Sequence, residues 1–430
     1  MRVIRASIVH FPDASNTGES ARWQLFDDAL LWIEDGLVKA LGEPEVILPQ
    51  LPLETEIEHY PGQILIPGLI DLHVHYPQLE VIAAYGTQLL DWLNRYTFPA
   101  ELRYRNPQYA SAQAERFLAQ LLAQGTTTAL VFATSAKASV DAFFEAAQAR
   151  NLRMLSGKVL MDRHAPEGLC DTPTLAYEES AELIERWSGC GRLDYAVTPR
   201  FAPTSTQAQL DAAGQLLRDY PQTYLHTHLA ENRAECAWVA ELYPANRSYL
   251  DVYDQAGLVT DKAFFAHAIH LDAQDHRRLS DAGSTLCHCP SSNLFLGSGL
   301  FNIRAALNAG IGVGVGTDVG GGTSLSMLSA LGDAYKVQQM AGETLSPELA
   351  LYLATLGAAR SLGLQQKIGN FEPGKEADCV LLDPSQLPQL EARLEQSLSL
   401  SERLFALMIM GDERAVRQTW VMGEPVKVLA

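Results

Sequence analysis

The 430-residue sequence predicts an α/β protein, a TIM-like (β/α)8 barrel with a small β-domain assembled from both ends of the chain. Three observations predict it. Strand-like and helix-like runs alternate between residue 67 and about residue 369, with eight strand candidates, the count for such a barrel. Short β-type segments fill residues 1–66 and return after residue 370. Histidines and acids collect at the C-terminal ends of the strand candidates, which is where chemistry sits in this architecture.

Taken in order, residues 1–66 lack a strong helical period. Leu31-Trp32-Ile33 and Leu37-Val38-Lys39-Ala40 flank Asp35-Gly36, a pair suited to a type I′ hairpin. Barrel strands are expected at 69–75, 127–134, 153–161, 194–201, 222–229, 263–269, 284–289 and 312–317. Ala110–Gln124 reads as a helix closed by Gly125, and Thr206–Asp219 as one capped by Ser205 or Thr206. Ala377–Leu382 and Gln418–Val426 return to β-type sequence, and the Leu/Ser-rich Gln386–Leu404 reads as a surface helix. The expected division is therefore 1–66 with 370–430 as the β-domain and 67–369 as the barrel. A doubly wound sheet is the rival, but no Gly-rich phosphate turn follows the first strand.

Composition narrows the partners. Hydrophobic residues make up 47% and charged residues 19%, which suits an ordinary globular chain. A net charge of −19 disfavours nucleic acid and anionic membrane, and permits a neutral small substrate. No apolar run approaches the roughly 20 residues that span a bilayer. Met1-Arg2-Val3-Ile4-Arg5-Ala6 turns polar too soon for a signal peptide, and six cysteines without one read as reduced thiols. A cytoplasmic location is expected.

The candidate site starts at Pro67-Gly68-Leu69-Ile70-Asp71-Leu72-His73-Val74-His75. Residues two apart on a strand share a face, so His73 and His75 aim two imidazoles at one point, a geometry suited to zinc. On strand five, His226 and His228 share a face. His228 lies nearer the rim and is taken as the third nitrogen ligand, leaving His226 to pack. Glu231 follows just past the strand end. His267 and His270 fall on opposite faces of a regular strand six, and His267 is taken as inward. Asp318, after Val313–Thr317, adds a carboxylate. Three nitrogens, one carboxylate and a water make a catalytic site with an open position. Strand four ends at Arg200-Phe201 and carries no lysine to bridge a second metal; Lys158 lies on strand three, so one metal per chain is expected. Arg200 at the rim is expected to touch substrate. Cys287-His288-Cys289 offers three clustered donors and reads better as packed strand residues.

These residues together resemble the amidohydrolase superfamily and, within it, the guanine deaminase family. The resemblance runs nearly end to end, through residues 67–78, Leu89-Leu90-Asp91-Trp92-Leu93, Arg200-Phe201, Thr227–Asn232, His267, Cys289–Asn293 and Gly316-Thr317-Asp318. It implies one Zn2+ held by His73, His75, His228 and Asp318, a β-sandwich formed by both termini, a homodimer, and hydrolysis of guanine to xanthine and ammonia. It also implies roles. Metal lowers the pKa of its water toward about 7, Asp318 and His267 orient that water and take its proton, and attack falls on C2 of the base. Glu231 protonates N3 and then the departing amine. Gln78 and Arg200 meet polar edges of the base, with Phe201 and Trp92 in the substrate pocket. The rival enzyme is an amidohydrolase acting on another heterocycle such as a triazine. A rival of another class is a silent scaffold barrel, against which the complete His73, His75, His228, Asp318 and Glu231 set argues. The cytidine-deaminase class needs Pro-Cys-x-x-Cys, which this chain lacks.

Overall fold

In the computed structural model, which describes residues 1–12, 22–86, 88–396 and 399–426, the chain forms two sheets. The first has the order β16-β15-β14-β4-β1-β2-β3, where β1 is Arg2–His10, β2 Gln24–Glu34, β3 Leu37–Gly42, β4 Glu58–Pro67, β14 Cys379–Leu382, β15 Val416–Val421 and β16 Glu424–Pro425. Both chain ends thus build one sheet, with β4 of the N-terminal part paired to β14 of the C-terminal part. Its hairpin turns at Asp35 (φ 51°) and Gly36 (φ 80°), the two left-handed residues a type I′ turn requires.

The second sheet is the parallel barrel: β5 (Leu69–His75), β6 (Thr126–Phe132), β7 (Arg153–Gly157), β9 (Leu193–Pro199), β10 (Tyr224–Leu229), β11 (Ala263–His267), β12 (Thr285–His288) and β13 (Gly312–Val315), with the short β8 (Val159–Leu160) paired to β9. All eight expected strands are present. The third is interrupted at Lys158, and the second, fourth, sixth and eighth stop two residues short of the expected ends. Helices cover the outside. Pro107–Ala123 is capped by Asn106 and followed by left-handed Gly125 (φ 83°), and Gln207–Asp219 is capped by the Thr206 hydroxyl. The Leu/Ser-rich stretch holds two helices, Pro388–Leu394 and Leu400–Met410; Leu400, Leu404 and Leu407 of the second are buried, so it packs rather than floats.

Two backbone features position the site. Between Asp71 and Val74, β5 spends three residues where β6 spends two. Ile70 and Leu72 pack inside the barrel with Leu130, Leu155 and Phe264, while Leu69 and Val74 pack outward toward the helices. This bulge lets Leu72 and His73 follow one another on the interior face, re-aiming His73 beside His75. The seam between β13 and β5 is closed by the segment after β13. Asp318 N–H donates to the His73 carbonyl (2.8 Å), His75 N–H to the Val319 carbonyl (2.9 Å), and the Thr317 amide and hydroxyl to the buried Asp71 carboxylate.

Candidate active site

The C-terminal rim of the barrel gathers His73 and His75 from β5, His228 from β10 and Asp318 after β13, one ligand atom from each lying within 4.8 Å of the others. His73 Nε2 stands 3.1 Å and His75 Nε2 3.2 Å from Asp318 Oδ1. His228 Nε2 is 3.3 Å from His75 Nε2. Burial lowers all three histidines from their usual range, His75 to about 3, so they stand as neutral imidazoles. Burial raises Asp318, but the surrounding histidines outweigh it and hold the carboxyl well below its usual value. Three imidazole nitrogens and one carboxylate oxygen gathered within 4.8 Å are what a divalent metal requires, and the donor set fits one.

Outer contacts fix each ring. His228 Nδ1 donates to the Arg200 carbonyl at 2.7 Å, which leaves its Nε2 lone pair facing the centre. His73 Nδ1 lies 2.7 Å from His226 Nε2, so His226 packs, as the sequence suggests, and also orients a ligand. The Phe132 ring, at the end of β6, approaches His73 (5.3 Å), His75 (4.6 Å), His226 (4.5 Å) and His228 (4.7 Å).

Beside the donor set, His267 Nε2 reaches Glu231 Oε2 at 3.5 Å and Asp318 Oδ2 at 3.6 Å. Its Nδ1 donates to Asn293 Oδ1 (2.8 Å). Burial, then the Asp318 charge, pushes Glu231 up to about 8 against an opposing hydrogen bond from Ser298 Oγ (2.9 Å). His267 is inward as expected, yet the strand breaks there: His267 (φ 67°) and Ala268 (φ 50°) are left-handed, as are Ala230 (φ 47°) and Asp318 (φ 49°). Such conformations cost of order 1–3 kcal/mol each for non-glycine residues and cluster at functional sites. The pair at His267 and Ala268 ends the sixth strand there. His270 lies beyond the break, where Nε2 donates to the Ser298 carbonyl (3.0 Å).

One cavity joins His75, His228, Glu231, His267 and Asp318 to Gln78, Trp92, Arg200 and Phe201. Every expected site residue but His73 lines it, and His73 stands just behind, against Asp318. Lys158 is elsewhere, buried and ion-paired to Asp171 and Glu179. Cys287 and Cys289 are buried thiols, and His288 stacks on Phe301 at 4.9 Å. Cys289 also lies in a group with His73, His267 and Asp318 whose ligand atoms fall within 4.8 Å, closer to the centre than a merely packed strand residue.

The amidohydrolase family profile matches residues 64–426. The chain belongs to the amidohydrolase family. Within the family it is 48% identical to the guanine deaminase of Escherichia coli K12 over 99% of this chain and 98% of that protein. The solved E. coli guanine deaminase superposes with a TM-score of 0.96 and 48% identity, covering 99% of each chain. A guanine deaminase from C. acetobutylicum, solved with guanine in its active site, gives a TM-score of 0.88 at 28% identity over 99% of this chain and all of that one. Among amidohydrolases, then, the resemblance read from the motifs holds at the finer level too.

Residues not singled out from sequence include Phe132, Asn293, Ser298 and Glu101. Glu101 is wholly buried and accepts from Arg200 Nη1 at 2.9 and 2.8 Å. Asn293 closes the Cys289–Asn293 segment of the resemblance, though with no role given to it there; the other three carry no motif and are found only through their partners.

Proposed function

We propose that this chain hydrolyses guanine to xanthine and ammonia, using one zinc ion per chain held by His73, His75, His228 and Asp318. It acts as a cytoplasmic homodimer in which residues 67–369 carry the chemistry and residues 1–66 with 370–430 form the supporting domain. The observation that carries the reading is the single cavity: a metal donor set and a buried acid at one end, a guanidinium, an amide and two aromatic faces at the other.

Bound there, zinc supplies Lewis acidity that lets water ionise near neutral pH. His267, held by Asn293, and the free oxygen of Asp318 orient the attacking water toward C2 and take its proton. Burial and the Asp318 charge push Glu231 up, which favours its protonated form, and Ser298 Oγ donates to Oε1. The Glu231 proton goes to ring N3 as the C2 carbon becomes tetrahedral. The proton taken from water passes by way of His267, 3.5 Å away, to Glu231 and on to the amine, which leaves as ammonia. The C2 hydroxyl returns a proton to Glu231 as the carbonyl forms. Phe201 and Trp92 bound the base. Arg200, which only donates, meets the C6 oxygen.

The test is release of ammonia and xanthine from guanine by purified, metal-analysed protein. About one zinc per chain is expected; two per chain, or full turnover without metal, overturns the mononuclear reading. Adenine places an amine where guanine has its C6 oxygen, so it meets Arg200 donor to donor and is expected to be turned over little or not at all. Arg200→Ala should lower kcat/KM for guanine by roughly 10- to 150-fold, the equivalent of about 1.5–3 kcal/mol for a charge-assisted bond. Competition assays with both bases check this. Equal use of adenine by the wild type, or an indifferent variant, leaves Arg200 as a structural arginine.

A further inference from the structure

Arg200 and Gln78 do not reach the cavity independently. Both are held by Glu101, on the short helix Phe98–Leu102. Its carboxylate accepts from Arg200 Nη1 with both oxygens and from Gln78 Nε2 at 3.2 Å. The helix also places the Phe98 ring under the guanidinium, 5.2 Å from Cζ to the ring centroid. The other end of the Gln78 amide is fixed as well, since Oε1 accepts from Gly320 N–H at 3.2 Å.

These partners leave the amide one orientation. A carboxylate can only accept and a backbone N–H can only donate, so Gln78 must turn its NH2 toward Glu101 and its oxygen toward Gly320. Turned that way, Gln78 keeps its second N–H in reserve. Arg200 keeps the N–H groups not engaged by Glu101. These spare N–H groups are donors, and the one amide oxygen is turned to Gly320.

We infer that Glu101 is a positioning residue that sets the hydrogen-bonding polarity of the base-reading wall, making it donor-only toward the C6 side of the ring. The inference rests on the guanine reading. Without Glu101 the Gln78 amide keeps only Gly320 of its two partners, which weakens the hold on its orientation, and the Arg200 guanidinium loses the acceptor that anchors Nη1 in a buried setting.

The test compares hypoxanthine, which carries the C6 oxygen, with purine, which lacks it, as competitive inhibitors of the wild type, Glu101→Gln and Glu101→Asp. Wild-type turnover of guanine tests the proposed reaction by itself. The ratio of the two inhibition constants across the variants tests Glu101. In Glu101→Gln the preference for hypoxanthine over purine should fall by about tenfold or more, with kcat/KM for guanine falling through KM more than kcat. Glu101→Asp, which keeps the carboxylate one methylene shorter, should regain part of that preference. An unchanged preference in Glu101→Gln, or equal weakening of both inhibitors in either variant, overturns the inference and leaves Glu101 a structural partner of Arg200. If Glu101→Gln does not fold, the same comparison on Glu101→Asp decides: a loss confined to hypoxanthine supports the inference, and an equal or absent loss overturns it.

Discussion

Alanine at His73 or at His228 is expected to abolish metal binding and turnover together. Each removes one of the three nitrogens that, with Asp318, make up the proposed ligand set. A catalytic metal contributes several kcal/mol to the transition state, and each 1.36 kcal/mol is a factor of ten. Turnover should therefore drop by at least about 10³-fold. Elemental analysis beside the activity assay checks it. A variant that holds its full metal content and still turns over removes that histidine from the ligand set.

Glu231→Gln should show the opposite pattern, with metal retained and turnover lost. The amide keeps the shape and can still accept from Ser298, but it cannot deliver a proton. General acid–base catalysis contributes about 10²- to 10⁴-fold, and the loss should fall in that range. The acid works only when protonated, so kcat/KM should fall as pH rises through its pKa. Burial sets that value at about 8, and a dication in the site shifts it downward. The alkaline limb of the profile is expected at or below about pH 8 and should vanish in Glu231→Gln. Near-normal activity in the variant would move the proton role to His267.

What the sequence made legible is what a short run of residues encodes. The apolar run and the His-x-His pair sit on one strand just after the Pro67-Gly68 turn, and period-two alternation places both rings together. The β10 histidines, Glu231 and Asp318 follow the same local logic. Tertiary facts stayed hidden. Position along the strand leaves His226 to packing and says nothing of its bond to His73, which joins residues 153 positions apart. Glu101 is 99 positions from Arg200, inside Phe98-Pro99-Ala100-Glu101, which has no signature. The bulge in β5 and the left-handed residues at His267 and Asp318 are backbone choices, imposed by the closed barrel, that residue type does not announce.

The barrel seam has a thermodynamic consequence. The first and last strands are stitched together by the backbone of the ligand residues, through Asp318 N–H to the His73 carbonyl and His75 N–H to the Val319 carbonyl. Clamping these side chains therefore also clamps the ring, so ion occupancy and global folding become linked equilibria. A ligand that binds only the native state at 100 times its Kd adds about 2.7 kcal/mol by mass action. Chelation should lower the Tm. In native-state hydrogen exchange, the amides of His75 and Asp318 should lose protection before those of β7 or β9, which sit in the unbroken run of the ladder. Uniform loss across the barrel would mean that the ring opens elsewhere first.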